Sequence, residues 1–221
     1  MELVPNLYKN IKGSENLIDL QELSKGISQH IQLKQDVWYL SKWKEKDCPF
    51  NVRHLDTDIE KYLLERELDR INNRNTTIYP LQEQVCPNVI HKVGMRASID
   101  NDIGSGAQTT IDFMSVGTSN AAENVDHDDL TAEITGGGYA RRQCSTTGTR
   151  TRTNETMKLG NSFNDTQVGA TIPVTLKEVG IHRHVSNADV CHARAVMTDF
   201  NLNTGDLFSA LMSELHENGV L

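Results

Sequence analysis

Aromatic residues are scarce in this sequence, which has 221 residues but only 5% Phe, Trp and Tyr. Hydrophobic residues make up 37% of the chain, and the mean hydropathy is -0.48. The length allows one large domain, or one ordinary domain with an N-terminal arm. Because these values are low for a globular chain, we expect neighbouring subunits to stabilise part of it. An oligomer is therefore the expected state.

The sequence also lacks the apolar stretches of membrane and secreted proteins. No run approaches the roughly 18 apolar residues of a membrane span, and the N-terminal MELVPNLYKN has no apolar signal core. The four cysteines form no CxxC pair of the kind used in zinc sites; they are Cys48, Cys86, Cys144 and Cys191. We expect reduced, buried thiols in a protein made in a cytoplasm, with no membrane partner.

Sequence motifs of common enzymes are absent as well. The chain has no G-x-S-x-G, G-x-x-x-x-G-K-[ST] or H-E-x-x-H pattern, and His216-Glu217 is not followed by a second histidine. Gly104-Ser105-Gly106 begins a dinucleotide pattern without its third glycine, so a glycine-rich turn is the simpler interpretation. We expect a protein that is not an enzyme and binds no cofactor.

Positive charge is sparse in the C-terminal part of the chain. Residues 1–80 contain 12 Lys and Arg against 13 Asp and Glu, whereas residues 81–221 contain 10 against 17. An acidic surface repels phosphate groups, which disfavours sequence-independent binding of nucleic acid. We expect no specific nucleic-acid partner.

Helical patterns are concentrated near the N-terminus, and we predict a mainly helical arm or docking region at residues 1–85. An extended segment at residues 1–13 is followed by helical spacing of apolar residues over 14–31. A second helix is predicted to begin at a capping box formed by Thr57 and Glu60, and to end before the Asn-rich segment that follows Ile71.

Between these helices, the segment VWYLSKW contains both tryptophans and a tyrosine: Trp38, Tyr39 and Trp43. Such a cluster forms either a local core or the anchor of a protein interface, because Trp and Tyr dominate binding hot spots. The sequence leaves both alternatives open, and the three side chains are candidate interface residues.

After Tyr79-Pro80 the composition changes, and 14 threonines fall between residues 101 and 175. Short β-forming runs alternate with turn residues, as in sandwiches and barrels. Strands are predicted at Val89–Ile99, Thr109–Val116, Tyr139–Thr153, Met157–Phe163, Thr171–His182, Cys191–Phe200 and Leu207–Leu215. The expected fold class is α+β, in which the helical region precedes an antiparallel, jelly-roll-like β-sandwich at residues 86–221.

Two strands carry informative patterns. The apolar residues of Thr171–His182 change from even to odd positions near Lys177-Glu178, which predicts a bulge. In Thr149–Thr153 the threonines alternate with Arg150 and Arg152, so the guanidinium groups share one face. A strand without an apolar face belongs at a sheet edge or against a partner, and both arginines are candidate interface residues.

Histidines near the C-terminus offer a possible metal site. His182 and His184 would share one face of a strand, with Cys191 and His192 after a turn. The spacing fits no closed zinc site, so solvated or interface histidines are the preferred interpretation. His182 and His184 therefore complete the candidate interface residues.

The acidic segment after residue 120 offers further alternatives. Asn124, Asp126 and Asp128 have the alternate spacing of a calcium loop, with Asp129 and Glu133 nearby. The glycine and terminal glutamate of an EF-hand are missing, so we prefer an acidic cap that begins a helical turn running to residue 134. A carboxylate pair of a hydrolase, from Asp126, Asp128 or Glu133, is another alternative. Our expectation remains that no metal binds.

Several short motifs follow one another in a characteristic order. VGTSN at Val116–Asn120 precedes the acidic DHDDLTAE, then Arg141-Arg142, LKEVGIH at Leu176–His182, and ARAVMTDFNLNTGDLFSA at Ala193–Ala210. This order resembles a family of β-sandwich virion structural proteins from tailed bacteriophages and archaeal tailed viruses. The resemblance spans about residues 110–215, and Ser119 stands where the family has the last glycine of G-T-G.

The resemblance implies a non-enzymatic part of a tailed virus particle, present in many copies. It implies partners among copies of itself and other virion proteins, such as the portal or connector, the tail or the capsid, and localisation in the virion. The motif residues also have plausible structural roles, since Gly117 and Gly180 would permit tight turns and Glu178 could pair with Arg194 on a neighbouring strand. A glycan-binding or host-surface-binding module of the virion is the alternative function.

Overall fold

The computed structural model describes residues 37–102, 110–153, 156–165, 172–183 and 190–215. The chain divides into two compact units, Met1–Gln32 and Leu33–Leu221, and every described residue belongs to the second unit. The extended segment and first helix predicted before residue 32 lie outside the described residues.

Ten strands and three α-helices form the described part of the chain. They are β1 (Val37–Lys44), α1 (Leu55–Ile71), β2 (Gln82–Pro87), β3 (Val89–Ile90), α2 (Lys92–Asp102), β4 (Phe113–Gly117), β5 (Arg142–Gln143), α3 (Cys144–Thr147), β6 (Thr149–Thr153), β7 (Thr156–Asn164), β8 (Val174–His182), β9 (Cys191–Leu202) and β10 (Asp206–Leu215). Short 3-10 helices occur at Glu45–Asp47, Val52–His54 and Gly137–Tyr139.

The strands form two antiparallel sheets of five strands each. Sheet A has the order β2-β1-β10-β7-β6, and sheet B has the order β3-β9-β8-β4-β5. One hydrophobic core contains side chains of both sheets, such as Trp38 of β1, Phe208 of β10, Met114 of β4 and Val179 of β8. Because side chains alternate along a strand, the neighbours of these residues lie on the outer faces.

Helix α1 covers the outer face of sheet A. Tyr39 and Trp43 of β1 lie in a second apolar cluster with Ile59 and Tyr62 of α1. The rings of Trp43 and Tyr62 meet edge to face, with centroids 5.7 Å apart. Such aromatic contacts add to the gain from burying apolar surface, and they hold α1 on the sheet.

The predicted capping box of α1 is wrong, because the helix begins at Leu55. The hydroxyl of Thr57 donates to the carbonyl of His54 at 3.1 Å. The first helical amide, Leu55 N, instead donates to Thr149 Oγ1 of β6 at 2.8 Å. A side chain 94 residues away thus accepts a hydrogen bond from one of the four amides that have no partner within the helix. The local sequence around Leu55 does not reveal such a distant contact.

The domain boundary and the first predicted strand need correction. Residues 37–85 contain β1, which lies between β2 and β10 inside sheet A, so they are not a separate helical arm. The boundary predicted after residue 85 falls within β2. Val89–Ile99 is a strand only at Val89–Ile90 and then becomes α2, because Lys, Met, Arg and Ala favour a helix there. The single strand predicted at Tyr139–Thr153 is interrupted by α3.

Other strand predictions are confirmed. Strands β7, β8, β9 and β10 match the last four predicted strands to within a few residues, apart from Thr171, which lies outside the described residues. The pairing of β8 with β9 shifts between Leu176 and Glu178, which is the predicted bulge. Strand β6 lies at an edge of sheet A, as its lack of an apolar face indicates.

Candidate functional site

The aromatic candidates for an interface lie inside the protein. Trp38 and Tyr39 have 0% of their surface exposed, and Trp43 has 1%. Trp38 belongs to the core shared by the two sheets, and the other two contact α1. The prediction that these three residues form an interface is therefore wrong, because buried side chains cannot reach a partner. They form part of the protein core, which was the other alternative.

The two arginine candidates lie on the edge strand β6. Arg150 lies opposite Leu159 of β7, so its side chain is on the same face of sheet A as Leu159, which belongs to the shared core. On this face Arg150 Nη1 lies 3.8 Å from Asp112 Oδ2. Arg152 is exposed. The threonine face is directed towards α1, since Thr151 Oγ1 donates to Asp56 Oδ2 at 2.8 Å. The alternation is confirmed, and an interface role for the two arginines stays a prediction.

The histidine candidates have different outcomes. His182 is 0% exposed, so it is neither solvated nor available to a partner, contrary to the preferred interpretation. Burial lowers its pKa well below the usual value, and the neighbouring Arg141 adds to this effect, so the ring is neutral. His184 lies outside the described residues.

The sequence motifs meet beneath a surface loop formed by residues 118–136, which covers the outer face of sheet B. Val179 faces the shared core, so Glu178 lies on the outer face. Glu178 Oε1 accepts a hydrogen bond from Ala132 N at 2.7 Å, and its Oε2 accepts one from Thr131 N at 3.1 Å. One buried carboxylate therefore holds the 118–136 loop on the sheet.

The predicted pair of Glu178 and Arg194 is confirmed. Arg194 Nε donates to Glu178 Oε2 at 2.8 Å, and both side chains are 0% exposed. Arg194 Nη2 also donates to the carbonyl of Ala121 at 3.0 Å. A buried charge requires such partners, because it has lost its hydration. The pair connects β8 and β9 to the 118–136 loop.

Two glycines let the loop approach sheet B closely. A Cβ atom at Gly180 would lie 2.8 Å from Leu130 Cδ2, and one at Gly117 would lie 2.4 Å from Glu178 Oε1. Their role is therefore close packing with the loop rather than the tight turns expected from the sequence. Leu130 is 7% exposed and covers Gly180.

A second ion pair fixes the end of the loop. Arg141 Nε donates to Glu133 Oε1 at 2.9 Å, and its Nη2 donates to Oε2 at 2.6 Å. This two-point contact is the geometry that favours arginine over lysine. Glu133 also forms an isolated antiparallel bridge with Gly117. The helical turn predicted for residues 126–134 does not form, since these residues are in turns and in the bridge.

Asp129, His182 and Cys191 form a cluster next to these ion pairs. Their potential metal-ligand atoms all lie within 4.8 Å of one another. His182 and Cys191 are fully buried, whereas the Asp129 side chain is 42% exposed. Burial raises the pKa of the Asp129 carboxyl and of the Cys191 thiol above their usual values.

The structure does not bring the other acidic candidates together. Asp126 pairs with Lys92 at 2.6 Å on the surface, and the hydrogen bond from Lys92 lowers the pKa of Asp126. The carboxylate of Glu133 is bound by Arg141. Of the predicted calcium ligands, only Asp129 belongs to the cluster with His182 and Cys191. A calcium loop and a catalytic carboxylate pair therefore lack support.

The surface before β2 is a feature that the sequence reasoning missed. Ile78, Tyr79, Leu81 and Val85 are between 53% and 60% exposed. Val85 belongs to β2, which is an edge strand of sheet A. We call these four residues the 78–85 patch. Their closeness in sequence could have revealed it, but large apolar residues normally suggest burial.

Hydrogen bonds fix the backbone on both sides of the 78–85 patch. Asp69 Oδ2 accepts from the amides of Thr76 at 2.8 Å and Thr77 at 2.7 Å, and Leu81 N donates to the carbonyl of Lys42 at 2.7 Å. The hydrogen bonds from Thr77, and then from Thr76, lower the pKa of Asp69 to about 2. The patch is thus held on the surface by ordered neighbours.

Comparisons of the chain with protein-family models, with curated proteins and with solved structures find no match. Among the described residues, no helix is both long enough and apolar enough to cross a membrane.

Proposed function

We propose that this protein is a non-enzymatic structural subunit of a tailed virus particle, which assembles in many copies at the head-to-tail connector, the tail or the capsid surface. The observation that carries the assembly role is the 78–85 patch next to and within β2, which is an outermost strand of sheet A in the described part of the chain. Adjacent exposed apolar side chains and an unpaired strand edge are features of surfaces that bind other proteins. The virus particle is suggested by the order of the sequence motifs.

In this proposal the two sheets pack face to face as a jelly-roll-like β-sandwich. The mixed core, with side chains of β1, β4, β8 and β10, supports this arrangement. The ion pairs of Glu178 with Arg194 and of Glu133 with Arg141 lie between the 118–136 loop and sheet B, where they stabilise the loop. The motif residues thus act as fold determinants of a subunit whose function lies in its surface.

Assembly is tested by measuring the mass of the purified full chain by light scattering over a range of concentrations. We expect an oligomer that dissociates in the double variant I78S/L81S. The matched control is M95S/V125S, which removes two apolar side chains that are 44% and 42% exposed elsewhere. Equal behaviour of the two double variants, or a monomer at every concentration, would contradict a role for the 78–85 patch.

The virion assignment has a separate test, because oligomers also form outside particles. Quantitative mass spectrometry of purified particles from a virus that encodes this chain should find a fixed copy number. A small ring-like number would indicate the connector or tail, and a larger one the capsid surface. If particles lack the chain, the virion assignment fails. Glycan-array binding would then favour the alternative, in which Tyr79 is an exposed aromatic side chain.

A further inference from the structure

Three separate parts of the chain contribute to the cluster beneath the 118–136 loop. Asp129 comes from the loop, His182 ends β8 and Cys191 begins β9. The pairing of β8 with β9 shifts here, because Ile181 faces Ala193 whereas His182 faces Cys191. His192 is therefore left without a partner on β8. This irregularity brings an imidazole and a thiol next to each other on paired strands.

The buried ring of His182 has one nitrogen without a hydrogen-bond partner among the described residues. Its Nε2 hydrogen-bonds to Ser115 Oγ on the neighbouring strand β4, whereas no described residue hydrogen-bonds to Nδ1. Nδ1 lies 3.6 Å from Asp129 Oδ1, which is too long for a hydrogen bond. An orphaned polar atom in a fully buried side chain destabilises the fold, so a missing ligand is a natural explanation.

The bond to Ser115 also determines which ring nitrogen can bind a ligand. When Nε2–H donates to the Ser115 hydroxyl, Nδ1 carries a lone pair that faces the oxygen of Asp129. Two electron-pair donors and a thiol thus converge, and the thiol donates its hydrogen bond to the carbonyl of Ala193, 3.4 Å from Cys191 Sγ, rather than to either of them. Metal-binding histidines commonly have this arrangement, in which the second nitrogen is held by an outer hydrogen bond.

We propose that Asp129, His182 and Cys191 bind one borderline-soft divalent metal ion of the zinc type. Imidazole, thiolate and carboxylate are all zinc ligands, whereas calcium and magnesium prefer oxygen alone. Ligand atoms of a tetrahedral zinc ion are about 3.3–3.8 Å apart. The Nδ1 to Oδ1 distance of 3.6 Å already falls in this range, and the 4.8 Å limit of the cluster requires only a small contraction.

The charges around the cluster fit a divalent ion. A thiolate and a carboxylate bring two negative charges, which a divalent ion balances. The guanidinium of Arg141 has its Nη2 2.6 Å from Glu133 Oε2 but 3.6 Å from Asp129 Oδ1, so Glu133 is its main partner. Cys191 must release a proton when the ion binds, so the affinity should increase with pH.

The bound ion would connect the 118–136 loop to the irregular ends of β8 and β9. Asp129 is the partly exposed ligand, which gives the ion a route of entry. Because Cys191 is fully buried, the ion would stabilise the fold rather than bind a substrate. This role is independent of whether the chain belongs to a virus particle.

The test uses the purified full chain, stripped with a chelator and then titrated with Zn²⁺ alone. We expect one tightly bound zinc ion per chain and a higher melting temperature in its presence. C191S and D129N should weaken zinc binding by about tenfold or more. The matched controls are C86S, another buried cysteine, and D128N, an exposed neighbour of Asp129, and both should bind zinc like the wild type.

A second measurement on the wild-type chain guards against variants that fail to fold. Co²⁺ bound through Cys191 should give a thiolate-to-metal charge-transfer band in the near ultraviolet. Added Zn²⁺ should displace the Co²⁺ and abolish this band. A wild-type chain that retains no zinc after gel filtration, or a cobalt spectrum without the thiolate band, would overturn the proposal. Zinc binding that survives in a folded C191S would overturn it too.

Discussion

The two sheets differ in how their outer faces are covered. Helix α1 covers sheet A with apolar and aromatic side chains such as Ile59 and Tyr62, which lie in one cluster with Trp43 of β1. The 118–136 loop covers sheet B through the buried ion pair of Glu178 and Arg194, with Leu130 as its main apolar contact. Apolar contacts weaken gradually as side chains shorten, whereas a buried charge without its partner has no substitute. We therefore expect α1 to tolerate conservative changes and the loop to tolerate few.

The largest effect is expected from Arg194→Ala. It leaves the Glu178 carboxylate buried without its guanidinium, which should lower the free energy of unfolding by about 3–5 kcal/mol. Arg150→Ala is the matched control, since that side chain is 40% exposed and its ion pair is worth at most about 1 kcal/mol. Urea unfolding measures both values. Similar losses of unfolding free energy in the two variants would show that burial does not determine how much an ion pair contributes to stability.

The next effect concerns α1, where the response should be graded. Ile59 is 0% exposed, so Ile59→Ala should cost about 2–4 kcal/mol and Ile59→Val about 0.5–1.5 kcal/mol. Met95→Ala, at a position that is 44% exposed and lies outside the 78–85 patch, serves as the control and should change stability by less than about 0.5 kcal/mol. If Ile59→Val were as destabilising as Ile59→Ala, the contacts of α1 with sheet A would tolerate substitution no better than the ion pair beneath the 118–136 loop.

A smaller effect is expected from Gly180→Ala, which tests how closely the loop approaches sheet B. The new methyl group would lie 2.8 Å from Leu130 Cδ2, so Leu130 must move, and we expect the loop to move with it at a cost of about 1–3 kcal/mol. Hydrogen exchange of the amides of Thr131 and Ala132, which bind Glu178, should accelerate. Gly136→Ala meets no atom within 4 Å and should leave both quantities unchanged. Unchanged exchange in Gly180→Ala would mean that Leu130 moves without the loop.

Local patterns predicted the parts of the fold that depend on neighbouring residues. The change of phase at Lys177-Glu178 identified the bulge, and the alternation of Arg150 and Arg152 identified an edge strand. Strand β1 was missed because its main partner, β10, is about 170 residues away in sequence. An aromatic-rich segment between two predicted helices gives no sign of such a distant partner. The start of α1 was misplaced for the same reason, since Thr149 supplies the contact.

The site was predicted only in part, and for a similar reason. Glu178 and Arg194 were paired correctly because they lie on consecutive strands of one hairpin. The sequence also brought His182 and Cys191 together as possible ligands, but it gave no link to Asp129. That link depends on how the 118–136 loop folds back over sheet B, which is determined by contacts of Leu130 with Gly180 and of Ala132 with Glu178.

The smallest effect concerns an ion pair at one end of sheet A, where the Asp206 side chain is 1% exposed but its partner Lys44 is 44% exposed and keeps much of its hydration when the pair is broken. Asp206, at the start of β10, lies 2.5 Å from Lys44 Nζ and 3.3 Å from Lys42 Nζ. Burial alone would raise the pKa of Asp206, but hydrogen bonds from Lys44, from the Asn203 amide and from Lys42 lower it below 3.8. A lowered pKa means that the carboxylate stabilises the fold above about pH 4 and loses this contribution as the pH falls further.

Asp206→Asn should therefore destabilise the protein at pH 5 but lose less additional stability than the wild type between pH 5 and pH 3. Chemical unfolding at both pH values measures the difference, with Asp199→Asn as the control. Asp199 pairs with Lys177 at 3.5 Å and is 55% exposed, so its contribution should be smaller. Because the Lys44 side chain is 44% exposed, added salt should also reduce the effect of Asp206→Asn. A salt-independent loss as large as that of Arg194→Ala would remove the distinction between the ion pair at this end of sheet A and the buried cover of sheet B.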